Sequence, residues 1–93
     1  AVIRSFRHKG LRLLYETGSA RGVPPARVER LREILTLLDV ADSPLDMALP
    51  GFRLHQLKGN LAPAWSIAVS GNWRITFVAL AGDVFDVDLV DYH

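Results

Sequence analysis

The sequence predicts an α+β fold: a twisted, mainly antiparallel sheet with a helical hairpin on one face. Three observations predict it. Two apolar stripes of helical period lie between residues 11 and 39, β-type alternation takes over after Gly51, and short Gly-containing turns separate the later runs. Turns that short leave no room for a crossover, so neighbouring strands pair antiparallel. Ninety-three residues hold about one such unit, so 1–93 is read as a single domain.

In chain order the pattern is β-α-α-β-β-β-β. Val2 to Phe6 is a short β-type run. Leu11, Leu14 and Tyr15 follow at i, i+3, i+4, which is one helical face, and Gly18 is a natural stop. Pro24-Pro25 opens a second helix over Ala26 to Asp39, where the missing N–H groups do no harm. Val28, Leu31, Leu35 and Leu38 form its apolar stripe, and Arg27, Arg30 and Arg32 lie off it. A loop with one short helical turn over Pro44–Met47 leads to strands at Phe52–Leu57, Ala64–Val69, Arg74–Leu80 and Val84–Leu89.

Register follows from keeping apolar side chains together, because successive residues of a strand face opposite ways. A three-residue turn Ser70-Gly71-Asn72 sets Ile67 opposite Ile75 and Trp65 opposite Phe77. A three-residue turn Ala81-Gly82-Asp83 then sets Phe77 opposite Val87 and Ile75 opposite Leu89. One face becomes apolar, and the other carries Ser66, Ala68, Arg74, Thr76, Asp86 and Asp88. The same ladder brings Val90 beside Arg74, Asp91 beside Trp73 and Tyr92 beside Asn72. His93 carries the parity of the core side, so it reaches Arg74 only past the strand end or after a bulge. His55 and Lys58, three apart, fall on opposite faces of a regular strand unless Lys58 leaves it at Gly59.

Composition excludes several classes. There is no Cys, hence no disulfide and no Cys-ligated zinc or iron–sulfur centre. His8, His55 and His93 lack any local metal-ligand spacing, so no metal is expected. No phosphate-cradling Gly loop and no G-x-S-x-G occurs. No run of 18 apolar residues exists and no signal peptide is visible, so the expectation is a soluble cytoplasmic chain without a membrane partner. The net charge of +1 hides an asymmetry: residues 1–60 carry ten Lys/Arg against six Asp/Glu, while 61–93 carry Arg74 against Asp83, Asp86, Asp88 and Asp91. Either the front half faces a polyanion or the halves attract each other.

Arg74, the last basic residue apart from His93, either bridges to Asp86 or Asp88 or grips a phosphate. His, Lys and Arg gathered on one bare face suit cleavage of RNA, which carries its own nucleophile in the 2′-OH. That reaction needs a base, cations for the charge at phosphorus, and an acid for the leaving oxygen, and these side chains supply all three without a metal or cofactor. Arg7 and Lys9, with Arg4 and the helix arginines, add affinity for the backbone.

Several stretches together carry a family resemblance. They are Ile3-Arg4-Ser5-Phe6-Arg7-His8-Lys9-Gly10-Leu11, Leu54-His55-Gln56-Leu57-Lys58-Gly59, Trp65-Ser66-Ile67, Gly71-Asn72-Trp73-Arg74-Ile75-Thr76-Phe77 and Asp91-Tyr92-His93. Over nearly its whole length the chain resembles the HigB-type toxins of bacterial type II toxin–antitoxin systems, in the RelE/ParE superfamily. The resemblance implies a RelE-like fold and a ribosome-dependent, metal-independent endoribonuclease that cuts translated mRNA and arrests growth. It implies a cognate HigA-like helix-turn-helix antitoxin, and a toxin–antitoxin heterotetramer held on operator DNA through that antitoxin. By position the family's catalytic residues fall on His55, Lys58, Arg74 and His93, with Asn72 nearby and Tyr92 beside it. Better-known members carry a further Arg just before the turn, where this chain has Ser70. Arg74 and Lys58 are assigned to the phosphate, Lys58 or His55 to the base, and His93 to the acid. Two alternatives remain at this stage: a superfamily toxin that inhibits DNA gyrase without catalysis, and a plain RNA- or protein-binding module.

Overall fold

The computed structural model describes residues 2–59 and 63–92. Its elements are α1 (Lys9–Thr17), α2 (Val28–Val40), β1 (His55–Gln56), β2 (Ala64–Ser70), β3 (Trp73–Leu80) and β4 (Asp83–Asp91). The strands form one antiparallel sheet in the order β1-β2-β3-β4, and both helices pack on the same face.

Local chemistry sets the helix ends. The His8 Nδ1 accepts the Leu11 N–H at 3.1 Å and caps α1, and Gly18 closes it in the left-handed conformation (φ 79) with its N–H on the Leu14 carbonyl. Leu11 and Leu14 are buried as expected. Tyr15 turns outward, packs on the Phe6 ring at 5.4 Å and donates its hydroxyl to Asp39 at 2.7 Å. A single 3₁₀ turn, Pro25–Arg27, precedes α2, so the regular helix starts at Val28 rather than Ala26. Leu31, Ile34, Leu35 and Leu38 of α2 are buried, each contributing about 2 kcal/mol through the apolar surface it removes from water.

These stripes lie on Ile67, Val69, Ile75, Phe77, Val84, Val87 and Leu89 of the sheet. The pairs Ile67–Ile75, Trp65–Phe77, Ile75–Leu89 and Trp73–Asp91 are those expected from the alternation.

Both turns depart from expectation in the same way. Each is one residue shorter, and a bulge restores the register. Ser70 pairs with Trp73 around Gly71-Asn72, and the β2 ladder shifts between Ala68 and Ser70. Leu80 pairs with Asp83 around Ala81-Gly82, whose φ values of 53 and 82 make the tight hairpin turn that suits strand twist, and the β3–β4 ladder shifts between Thr76 and Val78. The second bulge, at Asp86 (φ 55), moves Val84 into the core and Phe85 to the open face, the reverse of the parity read from the sequence.

Two expected strands are much reduced. Phe52–Leu57 keeps ladder pairing only at His55–Gln56, because Arg53 takes a positive φ of 48 and interrupts it. The Phe52 carbonyl still accepts the Ala68 N–H, and the Leu57 N–H reaches the Ala64 carbonyl. The run Val2 to Phe6 makes only two isolated parallel bridges to β4, Ile3–Val84 and Phe6–Val87. Between them Ser5 fills the bulge: its Oγ accepts the Asp86 N–H at 2.9 Å and donates to the Asp86 carboxylate at 3.3 Å. A side chain occupies the space where continuous backbone pairing would run.

Candidate active site

With both helices on one face, the opposite face of the sheet is left open. Cross-strand pairing builds it in rows. His55, Ser66, Thr76 and Asp88 form one row across all four strands. Ala68, Arg74 and Val90 form the next, one step nearer the β2–β3 turn. Beyond β4 the Tyr92 N–H donates to the Asn72 carbonyl at 2.9 Å, so Asn72, Arg74 and Tyr92 meet at one corner.

Arg74 makes neither of the ion pairs available to it by parity. Its Nη1 donates to the Gly71 carbonyl at 3.1 Å and the Trp73 carbonyl at 3.2 Å, which folds the guanidinium against the turn. Among the described residues no carboxylate pairs with it. Asp86 is engaged by Ser5 instead, and Asp88 accepts the N–H of its neighbour Leu89. Arg74 is therefore held by backbone carbonyls and not by a carboxylate of the described residues.

A groove of 350 Å³ runs along this face, with Thr76, Val78 and Ala64 in its lining beside Leu57, Arg7, Asp86, Asp88 and Tyr92. Arg7 arrives from the N-terminal segment, whose backbone is fixed by the Arg7 N–H on the Val87 carbonyl at 2.9 Å. Tyr92 is 47% exposed, leaving its ring free for stacking.

The expected site residues divide into groups. Asn72, Arg74 and Tyr92 come together, and Arg7 joins Tyr92 across the groove. His55 lies on the same face, two strands and one row from Arg74, which is roughly 12 Å at the usual strand spacing and rise. Its Nδ1 is 3.3 Å from the Arg53 carbonyl. Lys58 is exposed and lies outside the strand, near the far end of β2 from the Arg74 corner. Lys9 is exposed on the first turn of α1, away from the groove lining. His93 lies outside the described residues.

Residues 4–93 match the family model for the RelE-like toxin HigB of type II toxin–antitoxin systems. The chain belongs to the HigB-like toxin family. Its relatives include "Endoribonuclease HigB" of Proteus vulgaris, 42% identical over 92 residues that span 99% of this chain and 100% of that protein. A crystal structure of a copper-bound mutant toxin from Helicobacter pylori is similar in fold, with a TM-score of 0.55 over 98% of this chain and 93% of that one at 16% identity. As a HigB-like toxin of a type II system, the chain has a cognate antitoxin for a partner. No helix among the described residues is long and apolar enough to cross a membrane.

In this HigB-like chain the sequence reading missed two parts of the groove. Leu57 and Val78 give it an apolar stretch, and the Ser5–Asp86 link shapes its wall. Val78 was legible by parity with Thr76. The Ser5–Asp86 link joins positions 81 apart, and no local pattern announces it.

Proposed function

We propose that the open groove is the RNA site of this toxin, an endoribonuclease of the HigB kind that cuts translated mRNA on the ribosome through attack by the RNA 2′-OH. The observation that carries the proposal is Arg74, without a carboxylate partner among the described residues, at the corner shared with Asn72 and Tyr92. A guanidinium without a carboxylate partner is available to a phosphate, and its planar fork suits two phosphate oxygens. Arg7 and Tyr92 on the wall supply a second cation and a ring for a base.

His55 is the base. A carbonyl only accepts, so the contact to Arg53 places the proton on Nδ1 and leaves Nε2 as the acceptor. Nε2 takes the proton of the 2′-OH, the 2′-oxygen attacks the adjacent phosphorus, and the P–O5′ bond breaks. His93 protonates the departing 5′-oxygen, leaving a 2′,3′-cyclic phosphate and a 5′-OH. Lys58 and Arg74 hold the charge that grows on the phosphoryl oxygens. No step asks for a metal or cofactor. A helix-turn-helix antitoxin neutralises the toxin, and the two assemble on operator DNA through the antitoxin.

The test is primer extension on mRNA translated in Mg²⁺, using toxin freed of metal by chelation and desalting beforehand, followed by end analysis. Cleavage with cyclic phosphate ends is expected. Arg74→Ala and deletion of His93 are each expected to lower cleavage at least ~100-fold, in the range of a lost general acid or oxyanion donor, with the circular dichroism spectrum unchanged. Cutting that is lost with the chelated toxin and restored only when metal is returned to it, or 5′-phosphate ends in place of 5′-OH, would reject the chemistry. Growth arrest with intact mRNA and inhibited gyrase would reject the nuclease reading altogether.

A further inference from the structure

A second concave surface lies at the other end of the molecule. α2 stops at Val40 and the chain turns extended at Ala41, so the helical layer ends short of the β3–β4 turn. The core side of the sheet is left partly bare there: Trp65 and Ala79 are only half-buried. The result is an apolar pocket of 340 Å³ whose lining includes Leu38, Pro44, Trp65, Phe77, Ala79 and Val84. Three large apolar side chains are exposed at this end, Val40 at 69%, Leu45 at 67% and Leu80 at 51%. A pocket of this kind with an apolar surround is the usual seat of an anchoring side chain in a protein interface.

The charge around it is one-sided. No Lys, Arg or His occurs between Arg32 and Arg53. Asp42 stands on the rim, and the Asp46 carboxylate is drawn beside it by accepting the Asp42 N–H at 2.9 Å. Among the described residues no cation pairs with either. Asp83, also on the rim, is neutralised by Arg4 at 2.9 Å. The C-terminal end of α2 adds its negative dipole end.

We propose that this pocket is the anchor site of the cognate antitoxin, and that it takes an apolar side chain flanked by Lys or Arg. The lining here has acids and no Lys, Arg or His among the described residues, which repels RNA, whereas Arg7 stands beside Asp86 and Asp88 in the groove. A two-fold pairing with a second copy would set that rim against itself. An apolar segment with basic flanks satisfies both the lining and the rim. This rests on the antitoxin partner and not on the nuclease chemistry.

The test is calorimetric titration of the full chain with its purified antitoxin, using Asp42→Lys and Leu80→Arg. Both residues are exposed, so both variants should fold, which circular dichroism checks. Each is expected to weaken antitoxin binding at least tenfold while mRNA cleavage stays at the wild-type rate. Arg30→Ala, in the separate groove beside Phe52, should bind as wild type. Antitoxin affinity within twofold of wild type in both rim variants overturns the proposal. So does a wild-type dimer that Leu80→Arg dissociates without loss of antitoxin affinity, or an RNA-binding defect with antitoxin binding intact. Loss of antitoxin binding in the variants of a chain that cuts no RNA supports this docking site and overturns the nuclease reading alone.

Discussion

Arg74 and Asp83 show how far a single side chain can be read. Parity offered Arg74 an acidic neighbour on β4, and among the described residues its guanidinium bonds backbone carbonyls instead. Asp83 finds its cation elsewhere: the Arg4 Nε donates to it at 2.9 Å and the Val2 N–H at 3.2 Å. The hydrogen bond from Arg4, ahead of that from Val2, holds the Asp83 carboxyl below its ordinary value against a smaller opposing effect of burial. A depressed carboxyl stabilises the folded chain above its unfolded value of about 3.9, and that stabilisation is lost as pH falls through the lower folded value. Asp83→Asn should therefore flatten the acid limb: its deficit in urea midpoint relative to wild type, present at pH 5, should shrink at pH 3. An unchanged deficit would mean that the carboxyl contributes no pH dependence. The position of Arg74 was legible because strand alternation fixes it. The partner was not, because the contact between the N-terminal segment and β4 that engages Asp86 leaves no local signal.

Elements meet at two close approaches that composition alone hides. Gly10, in the first turn of α1, lies against Gly22 so tightly that a Cβ on Gly10 would fall onto the Gly22 carbonyl. The obstacle is backbone and cannot rotate away. Gly10→Ala should cost about 1–3 kcal/mol through overpacking, outweighing the better helix propensity of Ala. Urea denaturation checks it, and a variant as stable as wild type would show that the loop before α2 yields. The second approach is Ser5 against the Asp86 bulge, which holds a non-Gly residue at φ 55 and turns Phe85 outward. Apolar alternation predicted the paired residues of β2, β3 and β4. It could not distinguish a three-residue turn from a two-residue turn with a bulge, because both restore the same pairs beyond the bulge and differ only between the bulge and the turn.

For the molecule as a whole, one layer of helix on one side of the sheet has a consequence for both sites. The contiguous core cluster lies on the helix side, and Phe77, 1% exposed, is the largest side chain fully inside it. Phe77→Ala should cost about 3–5 kcal/mol. That is a large part of the roughly 5–15 kcal/mol typical of a native protein, so a thermal melt should show a sharply lower midpoint. A midpoint unchanged from wild type would mean the surrounding side chains collapse to fill the space. The sequence by itself determined the helices, the strand pairing of β2, β3 and β4, and the meeting of Asn72, Arg74 and Tyr92, because hydrophobic period and turn spacing are local quantities. Only the tertiary structure decided that Val2 to Phe6 runs parallel to β4, that Arg74 has no acidic partner among the described residues, and that an acidic-rimmed pocket opens beyond α2. Those features depend on which distant segments come within hydrogen-bonding reach and where one layer ends before the other. Periodicity along a single stretch of chain carries no record of either.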